Sequence, residues 1–179
     1  MTCVSEQLHE SLLCAAALLD YPDIVWRSQL GDLAERIESL PQSHVNDALR
    51  AFAEEAKAAD DMEFETRYVQ LFDMGKATNL CLTGRNRADA GQQRADMIGY
   101  AVHYEALGYE PEDVPPDYLP ALLELASRAD DKAANALFRT AEKDLEALRV
   151  SLEAAEISDY ELLVAAVQSI AAQLAKEAA

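Results

Sequence analysis

A small group of basic residues lies in an otherwise acidic chain. Between Met74 and Ala95 only Asp89 offsets four cationic side chains, which are Lys76, Arg85, Arg87 and Arg94. Guanidinium and ammonium groups bind phosphate oxygens, so this basic island predicts a site for a phosphate or pyrophosphate group. The alternative is a solvent-exposed loop whose charges balance the acidic helices, because Gly84 and Gly91 bound a polar segment.

Patterns typical of catalysis or metal binding are absent from the sequence. His9, His44 and His103 are isolated, and no H-E-x-x-H, G-x-S-x-G, P-loop or G-x-G-x-x-G motif occurs. The three cysteines are odd in number and widely separated, which indicates neither a disulfide framework nor a zinc site. We therefore expect a protein that is not an enzyme and that holds no metal.

Aromatic side chains are concentrated in the middle of the chain, where they are Tyr68, Phe72, Tyr100, Tyr104, Tyr109 and Tyr118. Tyrosine suits a groove that accepts an apolar peptide face and still makes polar contacts. The alternative is that most of these rings belong to the core. For Phe72 and Tyr104 we favour the core.

The charge balance restricts the partners. A formal net charge of −18 and a pI near 4.4 argue against nucleic acid, whose phosphates this surface would repel, and suit a partner with basic residues. No basic segment precedes an apolar one at the N-terminus, and no uncharged run could span a membrane. We expect a soluble cytoplasmic protein without direct membrane insertion.

The elements that must position these residues are helices. Gly and Pro are few among the 179 residues, half of which are hydrophobic, so one domain over residues 1–179 is expected. Apolar residues recur at helical spacing in every segment, and no strand is convincing. The prediction is a single-domain, all-α bundle of seven or eight helices.

Several helix ends have recognisable signals. Ser5, Ser43 and Asp117 are predicted N-caps, and Ser158 with Glu161 predicts a capping box for the last helix. Glycines are expected to end two helices at positive φ, at Gly75 and Gly108. The buried face of the last helix is predicted to comprise Leu162, Ala166, Val167, Ile170 and Leu174.

The segment from Tyr68 to Leu82 joins a helix end to an unusual loop. Tyr68, Leu71 and Phe72 share one helix face. The apolar run that follows is too short for a helix, so we expect a loop held down by Leu80 and Leu82.

Three segments resemble the NarJ/TorD type of redox-enzyme maturation chaperone, specifically its nitrate reductase delta-subunit branch. Leu-Leu-Asp-Tyr-Pro at 18–22 is similar to the family's first-helix ending. Tyr-Val-Gln-Leu-Phe-Asp-Met-Gly-Lys-Ala-Thr-Asn-Leu at 68–80 resembles the family's Y-x-x-L-F-D-x-G-(K/R)-A-T-x-L signature. Pro-Asp-Tyr-Leu-Pro at 116–120, continuing to Glu124, is similar to its P-D-H-L-P-x-x-L-E segment, with Tyr118 at the usual histidine position.

The resemblance implies an all-helical chaperone without catalytic activity. Such chaperones hold the N-terminal segment of a molybdoenzyme catalytic subunit, often a twin-arginine signal or its remnant, until the molybdopterin cofactor is inserted. An acidic groove fits a basic, then apolar, peptide. The residues expected to bind or support this client are Tyr68, Leu71, Phe72, Asp73, Leu80, Tyr104, Pro116, Asp117, Tyr118, Leu119 and Glu124.

Two alternatives stay open at this stage. The segment after Leu82 departs from the family pattern, so the client is either nitrate reductase or a related molybdoenzyme. The basic island favours a second function, a helical small-molecule or nucleotide-binding protein that uses residues 76–94. We expect no permanently bound cofactor, and at most a transient contact with molybdopterin guanine dinucleotide.

Overall fold

The computed structural model of the protein describes residues 4–86, 90–111 and 113–178, and of Arg85 and Asn86 only the backbone. The described residues form eight α-helices and no β-strand, which confirms the all-α prediction. The helices are α1 (Val4–Leu19), α2 (Ile24–Glu38), α3 (His44–Ala58), α4 (Asp61–Tyr68), α5 (Ala90–Leu107), α6 (Leu119–Arg128), α7 (Asp131–Ala154) and α8 (Ser158–Glu177).

Helices α1 and α8 lie at the centre of the packing. α8 packs against α7, α3 and α1, while α1 also packs along α6. Apolar side chains from five of these helices are fully buried where they meet, including Leu12, Leu49, Leu123, Leu137 and Ile170. Burying a leucine or isoleucine contributes about 1.5–3 kcal/mol, so this apolar contact is the main stabilising term.

Polar N-caps fix the starts of four helices. Asp23, Ser43, Asp60 and Asp130 each accept a hydrogen bond from a backbone N–H in the first turn. The cap predicted at Ser43 is thus confirmed. The cap predicted at Ser5 is wrong, because Ser5 lies inside α1.

The start of α8 also differs from the prediction. The residue before its first turn is Ile157, and no side chain caps it, so the capping box of Ser158 and Glu161 is not formed. Glu161 instead binds Arg149 of α7 at 3.0 Å. An ion pair across the α7–α8 corner thus replaces the local motif.

The buried face of α8 is shifted by one residue at its N-terminal end. Leu162 is 54% exposed, whereas Leu163 is fully buried. The four other predicted positions are buried as expected: Ala166, Val167, Ile170 and Leu174. Helical spacing from Ala166 fits Leu162 and Leu163 equally well, and the packing of α8 against α7, α3 and α1 buries the face that carries Leu163.

The helix of the central segment ends in a wider turn. α4 continues into a π-helical turn, Val69–Asp73, which closes with a hydrogen bond from the Met74 amide to the Val69 carbonyl. The predicted positive φ at Gly75 is wrong, since Gly108 (φ +73°) is the only described glycine with positive φ. Gly75 is instead required by space, because a Cβ atom there would collide with the Leu71 carbonyl and the Thr78 hydroxyl.

Candidate functional site

The end of α1 and the central segment meet at Tyr68. Its buried hydroxyl donates a hydrogen bond to the Leu19 carbonyl, the last in α1. The ring of Tyr21 packs edge-on against the Tyr68 ring, with 5.5 Å between centroids, and Phe72 packs on it at 4.8 Å. Two of the three segments that carry the resemblance are therefore in direct contact.

The third segment joins them through backbone hydrogen bonds. The Leu82 amide donates to the Asp117 carbonyl at 3.0 Å, and the Leu119 amide donates to the Leu80 carbonyl at 2.9 Å. These two bonds form a short antiparallel pairing of the loop with the start of α6. Leu80 and Leu82 are both buried, as predicted.

Asp117 holds this loop in place and does not cap α6. One carboxylate oxygen, Oδ2, accepts hydrogen bonds from the Thr83 amide (2.9 Å) and the Thr83 hydroxyl (2.7 Å). The N-cap residue of α6 is Tyr118, without a side-chain cap, so the cap predicted at Asp117 is wrong. Asp117 is 1% exposed, and a direct contact between it and a client peptide stays a prediction.

Tyr118 lies beside Tyr68 at the partly exposed edge of the site. Burial raises the pKa of Tyr118 to about 12, and burial together with the adjacent Tyr118 hydroxyl raises the pKa of Tyr68 well above its ordinary value. Both side chains are therefore neutral phenols at physiological pH. A histidine in place of Tyr118 would titrate near neutral pH, so this site lacks that switch.

Carboxylates surround these tyrosines at the surface. Tyr21 donates to Glu65 at 2.6 Å, and the charges of Glu65, Asp73 and Asp23 help to raise the Tyr21 pKa. The charges of Asp20 and Asp73 act in the same direction on the pKa of Tyr118. We name Asp20, Asp23, Glu65 and Asp73 the acidic rim.

The acidic rim is suited to cations. Asp20 and Asp73 are exposed, and neither forms an ion pair within the described residues. Carboxylates grouped at one surface attract arginine or lysine side chains and speed their association. This arrangement can therefore bind a basic segment above a tyrosine-lined floor.

A cavity of about 370 Å³ lies between the end of α5 and α6. Tyr104 and Glu124, two predicted client-binding residues, line it together with Tyr109, Pro111, Val114 and Arg128. Tyr104 is buried, as expected for a core residue, yet its hydroxyl has no hydrogen-bond partner among the described residues. Burial and the charges of Glu124 and Asp117 raise its pKa to about 12.

The apolar residues predicted for the client site are mostly interior. Tyr68, Leu71, Phe72, Leu80 and Leu119 are all buried. Phe72 is thus a core residue, as favoured from the sequence. These side chains support the floor of the site, whereas Asp73 is exposed and Tyr118, Pro116 and Glu124 are partly exposed.

The basic island is only partly described. Lys76, after the π-helical turn, and Arg94, on α5, are both exposed. The side chain of Arg85 and all of Arg87 lie outside the described residues. The phosphate site that these four residues predict therefore stays a prediction.

Several site residues were missed by sequence reasoning. Asp20 and Tyr21 belong to the Leu-Leu-Asp-Tyr-Pro segment, to which the sequence assigned only the end of a helix. Glu65 lies one turn before Tyr68 on α4, which puts it on the same side of the helix. Thr83 had no local signal, because its partner Asp117 is 34 residues away.

The described residues contain no group of three or more His, Cys, Asp or Glu side chains arranged around a common metal position. No described helix combines the length and apolar character needed to cross a membrane.

Fold and site together define an all-helical protein with an acidic surface around Tyr68 and Tyr118. No family model matches the chain. The probable nitrate reductase molybdenum cofactor assembly chaperone NarJ of Bacillus subtilis (strain 168) is 30% identical over 168 residues, which are 92% of this chain and 91% of the relative. The chain belongs to the NarJ family of nitrate reductase molybdenum cofactor assembly chaperones.

Two further relatives match a smaller part of the chain. The nitrate reductase molybdenum cofactor assembly chaperone NarJ of Escherichia coli (strain K12) is 30% identical over 118 residues, 63% of this chain and 49% of that protein. The nitrate reductase-like protein NarX of Mycobacterium tuberculosis (strain H37Rv) is 31% identical over 125 residues, 69% of this chain and 19% of that protein. The family consists of chaperones, which confirms the expectation that this protein is not an enzyme.

Proposed function

We propose that this protein binds the N-terminal segment of the catalytic subunit of a nitrate reductase-like molybdoenzyme. It keeps that subunit competent for insertion of the molybdopterin cofactor before the complex is assembled or exported. The binding takes place in the cytoplasm, because cofactor insertion precedes export. The relatives NarJ of B. subtilis and E. coli carry the matching description, as chaperones of nitrate reductase cofactor assembly.

The observation that carries the proposal is the convergence of three distant segments at Tyr68. Tyr68 contacts the end of α1 through Leu19 and lies beside Tyr118 at the start of α6. The acidic rim lies around this point of contact. A binding surface built from three segments keeps its shape only when all three are packed, which suits recognition of one client.

The chemistry of the surface favours a basic peptide with an apolar portion. Asp20 and Asp73 are available for arginine or lysine, and the rings of Tyr21 and Tyr118 offer flat, amphipathic contact area. Charged groups at the rim steer association and set specificity, while the aromatic area supplies affinity. An N-terminal segment with basic residues followed by apolar residues can bind both the acidic rim and the aromatic area.

The test is co-purification with the catalytic subunit encoded in the same genome. We expect the tagged chaperone to retain the full-length subunit and to lose it when the N-terminal segment of the subunit is deleted. The truncated subunit keeps the rest of its fold, so it controls for nonspecific binding. Equal retention of both forms would contradict N-terminal recognition.

A matched pair of chaperone variants locates the surface. Asp20→Asn combined with Asp73→Asn removes two of the four charges of the rim, while Asp32→Asn combined with Glu35→Gln removes two charges from the exposed side of α2. The rim variant should retain much less subunit than the α2 variant. Equal loss by both variants would indicate a general charge effect and not this site.

A further inference from the structure

The cavity between α5 and α6 contains an unusual buried group. The hydroxyl of Tyr104 is shielded from solvent and has no hydrogen-bond partner within the described residues. A buried polar group without a partner is unfavourable, so such groups in native proteins call for an explanation. Tyr104 lines the cavity, so a ligand that enters there and displaces the atoms covering the hydroxyl can supply the missing hydrogen bond.

The charged residues around the cavity indicate the sign of the charge that the ligand carries. Two carboxylates, Glu110 and Glu124, line it, and Arg128 is the only cation among the described lining residues. Asp117, whose Oδ1 atom also has no described partner, lies close enough to raise the pKa of Tyr104. A group that donates hydrogen bonds and carries positive charge fits this surrounding best.

The walls of the cavity indicate the shape of the ligand. Pro111, Val114 and Leu125 form an apolar surface that suits an aliphatic stem, and the Tyr104 and Tyr109 rings can face a cation. A planar guanidinium presents several N–H groups in a fixed fork, so it can donate to Tyr104 and Glu124 at the same time. An arginine side chain has both the stem and the fork.

Arg128 forms an ion pair with Glu124 when no ligand is present. The two residues are one helical turn apart on α6 and form an ion pair there. Both side chains are about half exposed, at 53% for Arg128 and 46% for Glu124. Exposed pairs of this spacing are weak and easily exchanged, so an incoming guanidinium can replace Arg128.

We propose that this cavity holds the guanidinium of one arginine of the client peptide, and that Arg128 is an internal competitor for Glu124. The inference rests on the proposed function and deepens it, because it assigns one client side chain to one cavity. Arg128 therefore lowers the affinity for the client, although it lies in the binding site.

The experiment uses a synthetic peptide with the N-terminal sequence of the catalytic subunit, titrated by calorimetry. Copies of the peptide carry citrulline in place of each arginine in turn, which keeps the shape and removes the charge. One citrulline copy should bind the unaltered protein at least about tenfold more weakly, since its neutral ureido group makes weaker hydrogen bonds than a guanidinium and has no charge for Glu124. That position identifies the arginine in the cavity.

Two protein variants then test the residues. Tyr104→Phe should weaken binding of the all-arginine peptide by about tenfold, whereas Tyr100→Phe, one turn earlier on α5, should leave it unchanged. Arg128→Gln should tighten binding by about two- to fivefold. Arg139→Gln makes the same change in net charge on the exposed side of α7 and should have no such effect.

The citrulline copy closes the thermodynamic cycle. Arg128→Gln should not change its affinity, because the charge with which Arg128 competes is gone, and Tyr104→Phe should change it less than it changes that of the arginine peptide, because a neutral ureido N–H makes a weaker hydrogen bond than a guanidinium N–H. Equal effects on both peptides, or no effect on either while the unaltered protein still binds, would overturn the cavity assignment and leave the proposed function standing. Failure of every peptide to bind the unaltered protein would overturn both.

Discussion

The hydroxyl of Tyr68 donates a 2.9 Å hydrogen bond to the carbonyl oxygen of Leu19, 49 residues earlier in the chain. This bond connects the end of α1, which Asp20 and Asp23 of the acidic rim follow, to α4 and the π-helical turn, which carry Glu65 and Asp73. Both groups are buried, so neither can exchange its partner for water. The geometry of the proposed client surface therefore depends on one long-range contact between a side chain and the backbone.

Removal of this bond should weaken the fold measurably. Tyr68→Phe keeps the ring and leaves the Leu19 carbonyl without its buried partner, so we expect the free energy of unfolding to fall by about 1–2 kcal/mol. Urea denaturation monitored by circular dichroism measures the change. Tyr21→Phe, which removes an exposed hydroxyl bound to Glu65, should cost less than about 0.5 kcal/mol. An equal loss for both variants would contradict a structural role for the Tyr68 bond.

Substitution of Asp117 should lower the stability of the fold, and it should affect client binding only through that loss. Asp117→Ala removes both hydrogen bonds to Thr83 and should lower the free energy of unfolding by about 2–3 kcal/mol. The control is Asp113→Asn, which removes an exposed carboxylate from the same connecting segment and keeps a residue type that tolerates the positive φ of +57° there. Asp117→Ala with unchanged stability but no client binding would assign Asp117 to direct peptide contact, in conflict with its burial.

Two glycines should respond to alanine in opposite ways. A Cβ atom on Gly75 would collide with the backbone of Leu71 and with Thr78, so Gly75→Ala should destabilise the protein by about 2 kcal/mol or more. Gly31, inside α2, has open space around the same position, so Gly31→Ala should stabilise by about 0.5–1 kcal/mol. Thermal unfolding of the two variants measures both changes. A stable Gly75→Ala variant would contradict the close approach at the π-helical turn.

Stability should fall at alkaline pH, in part because of Tyr104 and Tyr118. Burial raises the pKa of both Tyr104 and Tyr118 to about 12, against about 10 for a phenol in the unfolded chain. The native state therefore holds these protons more tightly, and their contribution is complete below about pH 10 and is lost as the pH rises towards about 12. Denaturation of the unaltered protein across this range should show the decline.

The phenylalanine variants separate this effect from general alkaline damage. Tyr104→Phe and Tyr118→Phe should each flatten the decline between about pH 10 and about pH 12. At neutral pH, Tyr104→Phe should be neutral or slightly stabilising, since it removes a buried hydroxyl that has no described partner. Stability curves that stay parallel to that of the unaltered protein would contradict the burial of these phenols.

The sequence predicted the helices well because their signals are local. Ser43 begins α3 and Gly108 follows α5, each through an interaction within a few residues. Asp117 resembled an N-cap by the same local reasoning, yet its carboxylate binds Thr83, and only the folded chain brings these two together. The buried face of α8 was misplaced at Leu162 because helical spacing alone does not show how many helices cover a surface.

Only part of the candidate site could be predicted, because its residues come from distant segments of the chain. The motif residues Tyr68 and Tyr118 lie together, but which of them faces outward could not be predicted from the sequence. Several apolar residues expected to line or support a groove, such as Leu119, are interior. The acidic rim includes Asp20, which the sequence assigned only to a helix end. Long-range packing decides these positions.

The measurement that tests the central claim most directly is a calorimetric titration of the unaltered protein with the N-terminal peptide of the catalytic subunit, at low and high salt. We predict binding with a Kd of about 1–10 μM at about 50 mM salt, and clearly weaker binding at about 500 mM, because salt screens the acidic rim. Asp20→Asn with Asp73→Asn should remove most of this salt dependence. Binding that is indifferent to salt and to both substitutions, or no binding at all, would contradict the account.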